Sequence, residues 1–261
     1  MFDAKKQIDV CVDFIQTYFR NNGTPNTKAV IGISGGKDST VAAALLVRAL
    51  GKKRVIGVLM PEGYQRDIKD SRRICEILGI QNFEIDIGPA CRALYKDFQD
   101  DTFGELMVNP QIATNTPARI RMTTLYMVAA AVGGRVCNTG NASEALVGYT
   151  TKYGDLAGDF ALLRHFTVSE VYAMGDAMEE LPYDLVHKAP ADGMSGKTDE
   201  DNIGIPYAVI DNFLLNGIRP ADNEQWEKMR TMYKRNIHKR TSIVLPAPHR
   251  IDGFLHFENL E

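Results

Sequence analysis

Short apolar runs alternate with amphipathic segments between residues 28 and 98, and this alternation constrains the fold more than any other feature of the chain. The runs are rich in β-branched residues, which is typical of strands covered on both faces. Strand, helix and strand at this spacing form parallel βαβ units. We therefore predict an α/β fold, a doubly wound parallel sheet flanked by helices. The predicted strands are 28–34, 53–61 and 82–88, and the predicted helices are 39–50, 66–79 and 89–98.

The remaining segments predict further helices, one more strand and one long loop. The segment 187–202 is rich in Gly, Pro, Asp, Ser and Lys, and we interpret it as a mobile lid loop. No linker-like stretch or internal repeat divides the chain, so a single domain over residues 1–261 is the simplest organisation. The further strand is 135–141, and the further helices are 3–21, 115–134, 165–180, 204–217 and 224–240.

The bulk composition is that of an ordinary globular protein and makes a nucleic acid or membrane partner less favoured. A net charge of −3 creates no field that would draw the whole molecule to nucleic acid or to an anionic membrane. No secretory segment or apolar span is visible. The four cysteines are scattered, without a C-x-x-C pair, so we expect buried thiols in a reduced, cytoplasmic protein.

The loop Ser-Gly-Gly-Lys-Asp-Ser, residues 34–39, follows the first predicted strand and opens a helix. Its glycines let backbone N–H groups approach a ligand closely, its serines add hydroxyl donors, and the helix N-terminus favours an anion. The spacing fits neither G-x-x-x-x-G-K-[ST] nor G-x-G-x-x-G. Asp38 would repel a phosphate unless a divalent cation such as Mg²⁺ lies between them. A glycine-rich turn with Ser39 as the helix N-cap is the alternative.

The loop resembles the pyrophosphate loop of the N-type ATP pyrophosphatases, which release pyrophosphate from ATP as they adenylate an oxygen of the second substrate. The resemblance implies that ATP is a co-substrate and that the loop holds its phosphates. The second predicted strand ends near a residue whose backbone could contact adenine, and the fourth near a residue that would contact ATP. The implied ATP-binding residues are Gly32, Ile33, Ser34, Gly35, Gly36, Lys37, Asp38, Ser39, Met60 and Thr139.

Four further segments, 115–129, 138–159, 197–214 and 236–240, resemble NAD⁺ synthetase. The most specific is T-G-N-A-S-E followed by T-K-Y-G-D. Membership implies that ATP activates the carboxylate of nicotinic acid adenine dinucleotide (deamido-NAD) as an acyl-adenylate, and that ammonia then displaces AMP to give NAD⁺. It also implies a homodimer, with no nucleic acid or membrane partner.

The resemblance assigns roles to individual residues. Asp38 and Glu144 would hold Mg²⁺, and Lys37 would stabilise charge near the phosphates. No side-chain nucleophile is expected, because ammonia needs none. Arg121 could share the task of its neighbour Arg119. The implied deamido-NAD-binding residues are Arg119, Lys152, Asp159, His238 and Lys239.

Two positions depart from the family pattern. Val168 stands where many members have a lysine, and Ala191 follows Pro190 where a threonine is usual. Lys188 or Lys197 could then supply a cation to ATP. The phosphate loop begins so early in the chain that we expect no glutaminase domain and predict free ammonia as the nitrogen source.

Two alternatives stay open from the sequence. The chain could be another N-type ATP pyrophosphatase, although the cysteine pairs of thiolating enzymes, the zinc cluster of deazapurine-nitrile synthases and the extra domains of GMP synthetases are not apparent. It could also be a non-catalytic protein that binds adenine nucleotides.

Overall fold

The computed structural model describes residues 2–65, 68–98, 109–188 and 198–240. Within them the chain forms an α/β fold of parallel strands and flanking helices. The strands are β1 (Lys28–Gly32), β2 (Val55–Leu59), β3 (Gln81–Glu84), β4 (Gly134–Asn138) and β5 (Phe160–Ala161). The helices are α1 (Ala4–Asn21), α2 (Lys37–Leu50), α3 (Ile68–Leu78), α4 (Gly88–Phe98), α5 (Pro110–Val132), α6 (Ala142–Val147), α7 (Val168–Asp176), α8 (Tyr183–Val186), α9 (Asp199–Ile203), α10 (Tyr207–Asn216), α11 (Asn223–Arg235) and α12 (Ile237–Arg240).

The strands form one sheet in the order β3-β2-β1-β4-β5, and every neighbouring pair is parallel. Strand β2 and the part of β1 after Lys28 are apolar because helices cover both faces of the sheet. The strand order reverses beside β1, since the chain first runs outward through β2 and β3 and then returns to β4. In open parallel sheets, ligands bind outside the carboxyl ends of the strands at such a reversal.

Alternate residues of β1 divide the core between the two faces. Ala29 and Ile31 belong to the cluster packed under α1, α2 and α7, whereas Val30 belongs to the cluster under α5. A third apolar cluster joins α6, α10 and α11. It includes Val168, the first residue of α7. The side chain at this position, which departs from the family pattern, is therefore buried in an apolar cluster.

The predicted parallel α/β fold is confirmed, but several boundaries were wrong. Helix α2 begins at Lys37 and has Gly36 as its N-cap, so the N-cap assigned to Ser39 in the alternative interpretation was wrong. Helix α5 begins at Pro110 rather than at residue 115, because Asn109 caps it and proline suits the first helical position.

Some elements were not predicted at all. The short α6 and β5 were missed, and residues 199–202 of the predicted lid loop lie in α9, whose N-cap is Thr198. Residues 189–197 of that loop, with Ala191 and Lys197, lie outside the described residues.

All four cysteines are buried and unpaired, as expected from their spacing. Among the helices that the structure describes, none combines the length and apolar character required to cross a bilayer.

Candidate active site

The phosphate loop connects β1 to α2 at the carboxyl edge of the sheet. Hydrogen bonds from Ser34 N–H to Ser39 Oγ (3.3 Å) and from Ser39 Oγ to the Gly36 carbonyl (3.1 Å) close it into a compact turn. Gly35 has φ = 77°, and a Cβ there would lie 3.0 Å from the backbone nitrogen of Ser71 on α3. Only glycine therefore suits this position.

The N-terminus of α2 carries no side-chain cap. The first-turn N–H groups therefore face the space beyond the loop, where the positive end of the helix favours an anion. This places the loop residues that were predicted for ATP, 32–39, around one anion-binding position.

Two carboxylates meet beside this loop. Asp38 lies in the first turn of α2, and Glu144 lies in the first turn of α6. Asn141 contacts both: its Nδ2 donates to Asp38 Oδ1 (3.1 Å) and its backbone N–H donates to Glu144 Oε2 (3.1 Å). Its own Oδ1 accepts from Glu144 N–H (3.0 Å), which completes a capping box. The short helix α6 thereby holds Glu144 next to Asp38.

Lys37 supplies the nearest cation. Its Nζ lies 2.8 Å from Asp38 Oδ2, and the rings of Tyr172 and Tyr207 flank it with centroids 5.5 and 5.9 Å away. Burial alone would lower the pKa of Lys37, but the charges of Asp38 and Glu144 raise it above its usual value. Lys37 is therefore an ammonium ion at neutral pH.

The environment of Glu144 fits a divalent cation. Burial, and then the charge of Asp38, raise the pKa of Glu144 well above its ordinary value, against the opposing effect of Lys37. Two carboxylates that repel one another, next to an anion-binding loop, are stabilised when a hard cation binds between them. Within the described residues no group of three or more His, Cys, Asp or Glu side chains could hold a metal.

The far end of α6 is fixed as firmly as its start. Gly148 ends the helix with φ = 66°, and a Cβ there would collide with the side chain of Asn236. Asn236 Nδ2 donates to the Val147 carbonyl (3.2 Å). Behind the helix, Ser143 Oγ donates to Asp211 Oδ1 on α10 (2.5 Å) and accepts from the backbone N–H of Val168 (3.0 Å).

Four of the residues predicted for deamido-NAD lie together around the segment 148–155. Arg119 Nε donates to the carbonyl of Lys152 (3.3 Å), and Lys152 Nζ donates to the carbonyl of His238 (2.8 Å). Lys239 Nζ donates to the carbonyls of residues 148 and 150, at 2.8 and 2.6 Å. These hydrogen bonds tie α12 to the segment.

Tyr153, at the centre of this segment, has a left-handed backbone (φ = 59°) and a side chain that is 60 % exposed. Strain of this kind in an exposed aromatic residue is typical of binding sites.

Asp159 makes a different set of contacts from these four residues. Its Oδ2 accepts from the backbone N–H of Val136 (2.7 Å) and its Oδ1 from the hydroxyl of Tyr126 (3.4 Å). Tyr126 also lines a cleft of about 270 Å³ with Met122, Tyr153, Leu156, Ala157 and Gly158. The structure thus places Asp159 beside this cleft, with its carboxylate already engaged.

The two residues predicted at strand ends are near the loop. Thr139 is half-buried directly after β4, and Met60 follows β2. A Cβ on Gly32 would lie 3.3 Å from Met60 Cε, so Met60 packs against the loop. The Met60 carbonyl accepts from Arg121 Nε (3.1 Å), whereas Arg119 Nε donates to the Lys152 carbonyl.

Lys188 was one of the two cations suggested in place of a lysine at position 168. Its Nζ lies 2.8 Å from Asp70 Oδ2, and a Cβ on Gly35 would lie 3.0 Å from Asp70 Cβ. Lys188 is therefore close to the phosphate loop but already pairs with a carboxylate. The other candidate, Lys197, lies outside the described residues.

Three residues of this site were missed in the sequence. Asn141 could have been found, because Asn-x-x-Glu before an apolar run is a capping-box pattern. Arg164 and Tyr207 carry no local signal, because only the tertiary fold brings them to the carboxylates. Burial raises the pKa of the Tyr207 phenol, and the charges of Glu144, Asp199 and Asp38 add to this effect.

Comparison with known proteins assigns the chain to a family. The family model described as NAD synthase matches residues 7–243. The NH₃-dependent NAD⁺ synthetase of Methanoregula boonei is 37 % identical over 218 residues, which cover 81 % of this chain and 85 % of the relative.

Two solved structures share the fold over nearly their full length. The NMN synthetase of Francisella tularensis has a TM-score of 0.83 at 32 % identity, covering 94 % of this chain and 99 % of that one. The NH₃-dependent NAD synthetase of Campylobacter jejuni has a TM-score of 0.71 at 29 % identity, covering 95 % and 100 %.

Proposed function

The chain belongs to the NAD synthase family, and on that basis we propose that it is a ligase that makes NAD⁺ from deamido-NAD, ATP and ammonia. The pyridine carboxylate attacks the α-phosphorus of ATP, which forms an acyl-adenylate and releases pyrophosphate. Ammonia then attacks the acyl carbon, the amide forms, and AMP leaves.

The observation that carries the proposal is the pair of carboxylates that Asn141 holds beside the phosphate loop. A loop that only gripped phosphate would be weakened by Asp38, because like charges repel. The same pair suits a nucleotide that arrives with a divalent cation. Asp38 and Glu144 would hold Mg²⁺, which neutralises phosphate charge and polarises the phosphorus–oxygen bonds when it is bound.

The protein's own residues contribute binding and orientation. The first-turn N–H groups of α2 and the hydroxyls of Ser34 and Ser39 would bind the departing pyrophosphate. Lys37, held between two aromatic rings, would balance its negative charge. Ammonia is itself the nucleophile, so the protein has to position the acyl carbon rather than activate a side chain.

For the dinucleotide we propose the residues around segment 148–155. Arg119 and His238 are exposed and Lys152 and Lys239 are half-exposed, so all four side chains lie where a ligand can reach them. Asp159 would act at the neighbouring cleft. Asp155 directly precedes Leu156, which lines that cleft, and it stabilises the segment by accepting a hydrogen bond from Thr151 N–H at 2.6 Å.

A second candidate substrate is the mononucleotide of nicotinic acid. The observation that favours it is the TM-score of 0.83 to an NMN synthetase, against 0.71 to an NAD synthetase. The same carboxylate would be amidated, and the substrates differ only in the adenylate half of the dinucleotide.

The test is to incubate the purified protein with ATP, Mg²⁺ and ammonium, and with either deamido-NAD or nicotinic acid mononucleotide. We expect AMP, pyrophosphate and the amide in equal amounts, with the higher kcat/KM identifying the substrate. Asp38→Asn should lose most of the activity, whereas Asp13→Asn on the exposed side of α1 is the matched control. ATP binding without product from either pyridine nucleotide would contradict the proposal.

Three wider features remain predictions. Four buried free thiols fit a reducing compartment, so we propose a cytoplasmic location. A single synthetase domain using free ammonia and a homodimeric assembly are also proposed. Light scattering on the purified protein tests the assembly.

A further inference from the structure

Arg164 is a buried cation without a direct partner for one of its nitrogens. It lies between β5 and α7 and is only 7 % exposed. Its Nη1 is fully buried and has no hydrogen-bond partner among the residues that the structure describes. A buried charge is costly unless it is paired and hydrogen-bonded, so this arrangement needs a reason.

Nearby carboxylates do not remove the cost. The charge of Glu144 acts on Arg164, yet burial still lowers the pKa of the guanidinium below its usual value. Glu144 Oε2 meanwhile accepts a hydrogen bond from Asn141. One guanidinium nitrogen, Nη1, thus lies close to the site without a hydrogen bond from the described residues, which suits a donor for an anionic ligand.

The position of Arg164 agrees with such a role. A Cβ on Gly140 would lie 3.7 Å from Arg164 Nη1, 3.8 Å from Glu144 Oε2 and 3.3 Å from Asn138 Oδ1. The missing side chain of Gly140 therefore leaves open the space between the guanidinium and the carboxylate. Because β5 and β4 end at the same edge of the sheet as β1, this space lies on the phosphate-loop side of the molecule.

We propose that Arg164 is a further ligand-binding residue, whose guanidinium binds a phosphate group of ATP or of the pyridine nucleotide beside Glu144. The choice between these two nucleotides rests on the proposed function. A guanidinium offers several N–H donors in one plane and matches the oxygens of a phosphate. A bound phosphate would accept a hydrogen bond from Nη1.

The experiment compares Arg164→Met, which keeps the length of the side chain without its charge, with Arg164→Lys, which keeps the charge without the planar donors. Melting temperature without ligands, calorimetric binding of ATP with Mg²⁺, and KM for each nucleotide are measured. We expect Arg164→Met to weaken the binding of one nucleotide roughly 10- to 100-fold, the range for loss of a hydrogen bond to a charged group. Its melting temperature should be unchanged or higher, because a buried charge has been removed. Arg164→Lys should fall between this variant and the parent.

The affected nucleotide identifies the source of the phosphate: a change in ATP binding assigns it to ATP, and a change confined to the KM of the pyridine nucleotide assigns it there. Arg20→Met, at the exposed end of α1, is the matched control and should change neither. If Arg164→Met binds both nucleotides with parental affinity, the inference is overturned, whatever its melting temperature.

If Arg164→Met fails to fold, Arg164→Lys decides, because lower affinity at a parental melting temperature supports binding and parental affinity opposes it. A parent protein that binds ATP but makes no amide would refute the proposed function alone, since the ATP-binding comparison still applies.

Discussion

Asn141 offers the sharpest test of how the two carboxylates are positioned, because two atoms of its side chain make different hydrogen bonds that can be removed separately. The amide Nδ2 donates to Asp38, whereas Oδ1 caps α6 by accepting from Glu144 N–H. Asn141→Ala removes both contacts. Asn141→Ser removes the donor to Asp38 but keeps a hydroxyl that can cap the helix.

The two losses have different expected sizes. A hydrogen bond to a charged group contributes about 1.5–3 kcal/mol, so either variant should lose roughly 10- to 150-fold in kcat/KM. Loss of an N-cap costs about 1 kcal/mol, which in a protein of this size lowers the melting temperature by about 2–4 °C. Only Asn141→Ala should show this second effect.

The assay is pyrophosphate release at several Mg²⁺ concentrations, together with thermal denaturation without ligands. We expect both variants to need more Mg²⁺ for half-maximal rate, because Asp38 is no longer held toward Glu144. Asn26→Ser, in the exposed α1–β1 loop, should match the parent in both measurements. The reasoning is refuted if Asn141→Ser keeps the parental rate and Mg²⁺ dependence, or if it is destabilised as much as Asn141→Ala.

Three other predictions concern stability and reactivity. Asp211→Ala leaves the fully buried Ser143 hydroxyl without its acceptor and should lower the free energy of unfolding, measured by urea denaturation, by about 1–3 kcal/mol. A change below about 0.5 kcal/mol, the size typical of a surface substitution, would contradict this. Tyr207→Phe removes a buried hydroxyl that has no partner within the described part of the chain, and it should be neutral or stabilising by up to about 1 kcal/mol in the ligand-free protein; clear destabilisation would show that the hydroxyl is hydrogen-bonded. Burial raises the pKa of Cys11 to about 12 and that of Cys75 to about 11, so native protein at pH 8 should resist thiol reagents that modify all four cysteines after unfolding; rapid modification of the native protein would be the contrary result.

The parallel sheet was predictable because its central strands are continuous apolar runs, and burial on both faces demands such runs. The elements that were missed lack any pattern of their own. Helix α6 is six residues long and nearly all buried, so no amphipathic period can develop. Strand β5 has two residues and is defined by its pairing with β4.

The same distinction separates the site residues. The residues of the phosphate loop are consecutive, so their chemistry can be read from one stretch of sequence. Arg164 and Tyr207 are distant from this loop in the sequence. Arg164 lies near Gly140, and the ring of Tyr207 flanks Lys37, but neither position carries a local signal of this. Asn141 lies between these cases, because its capping pattern is local while its contact with Asp38 spans 103 residues.

The anchoring of α6 by Asn236 has a consequence for biosynthesis. The last turn of this helix is held by a residue near the end of the described chain. When only the sheet strands have left the ribosome, the phosphate loop has therefore formed but the helix that carries Glu144 is not yet held at its end. Competence for catalysis should then arise abruptly, once the C-terminal helices have emerged and docked. Nascent chains that end before position 236 should fold their sheet yet remain inactive.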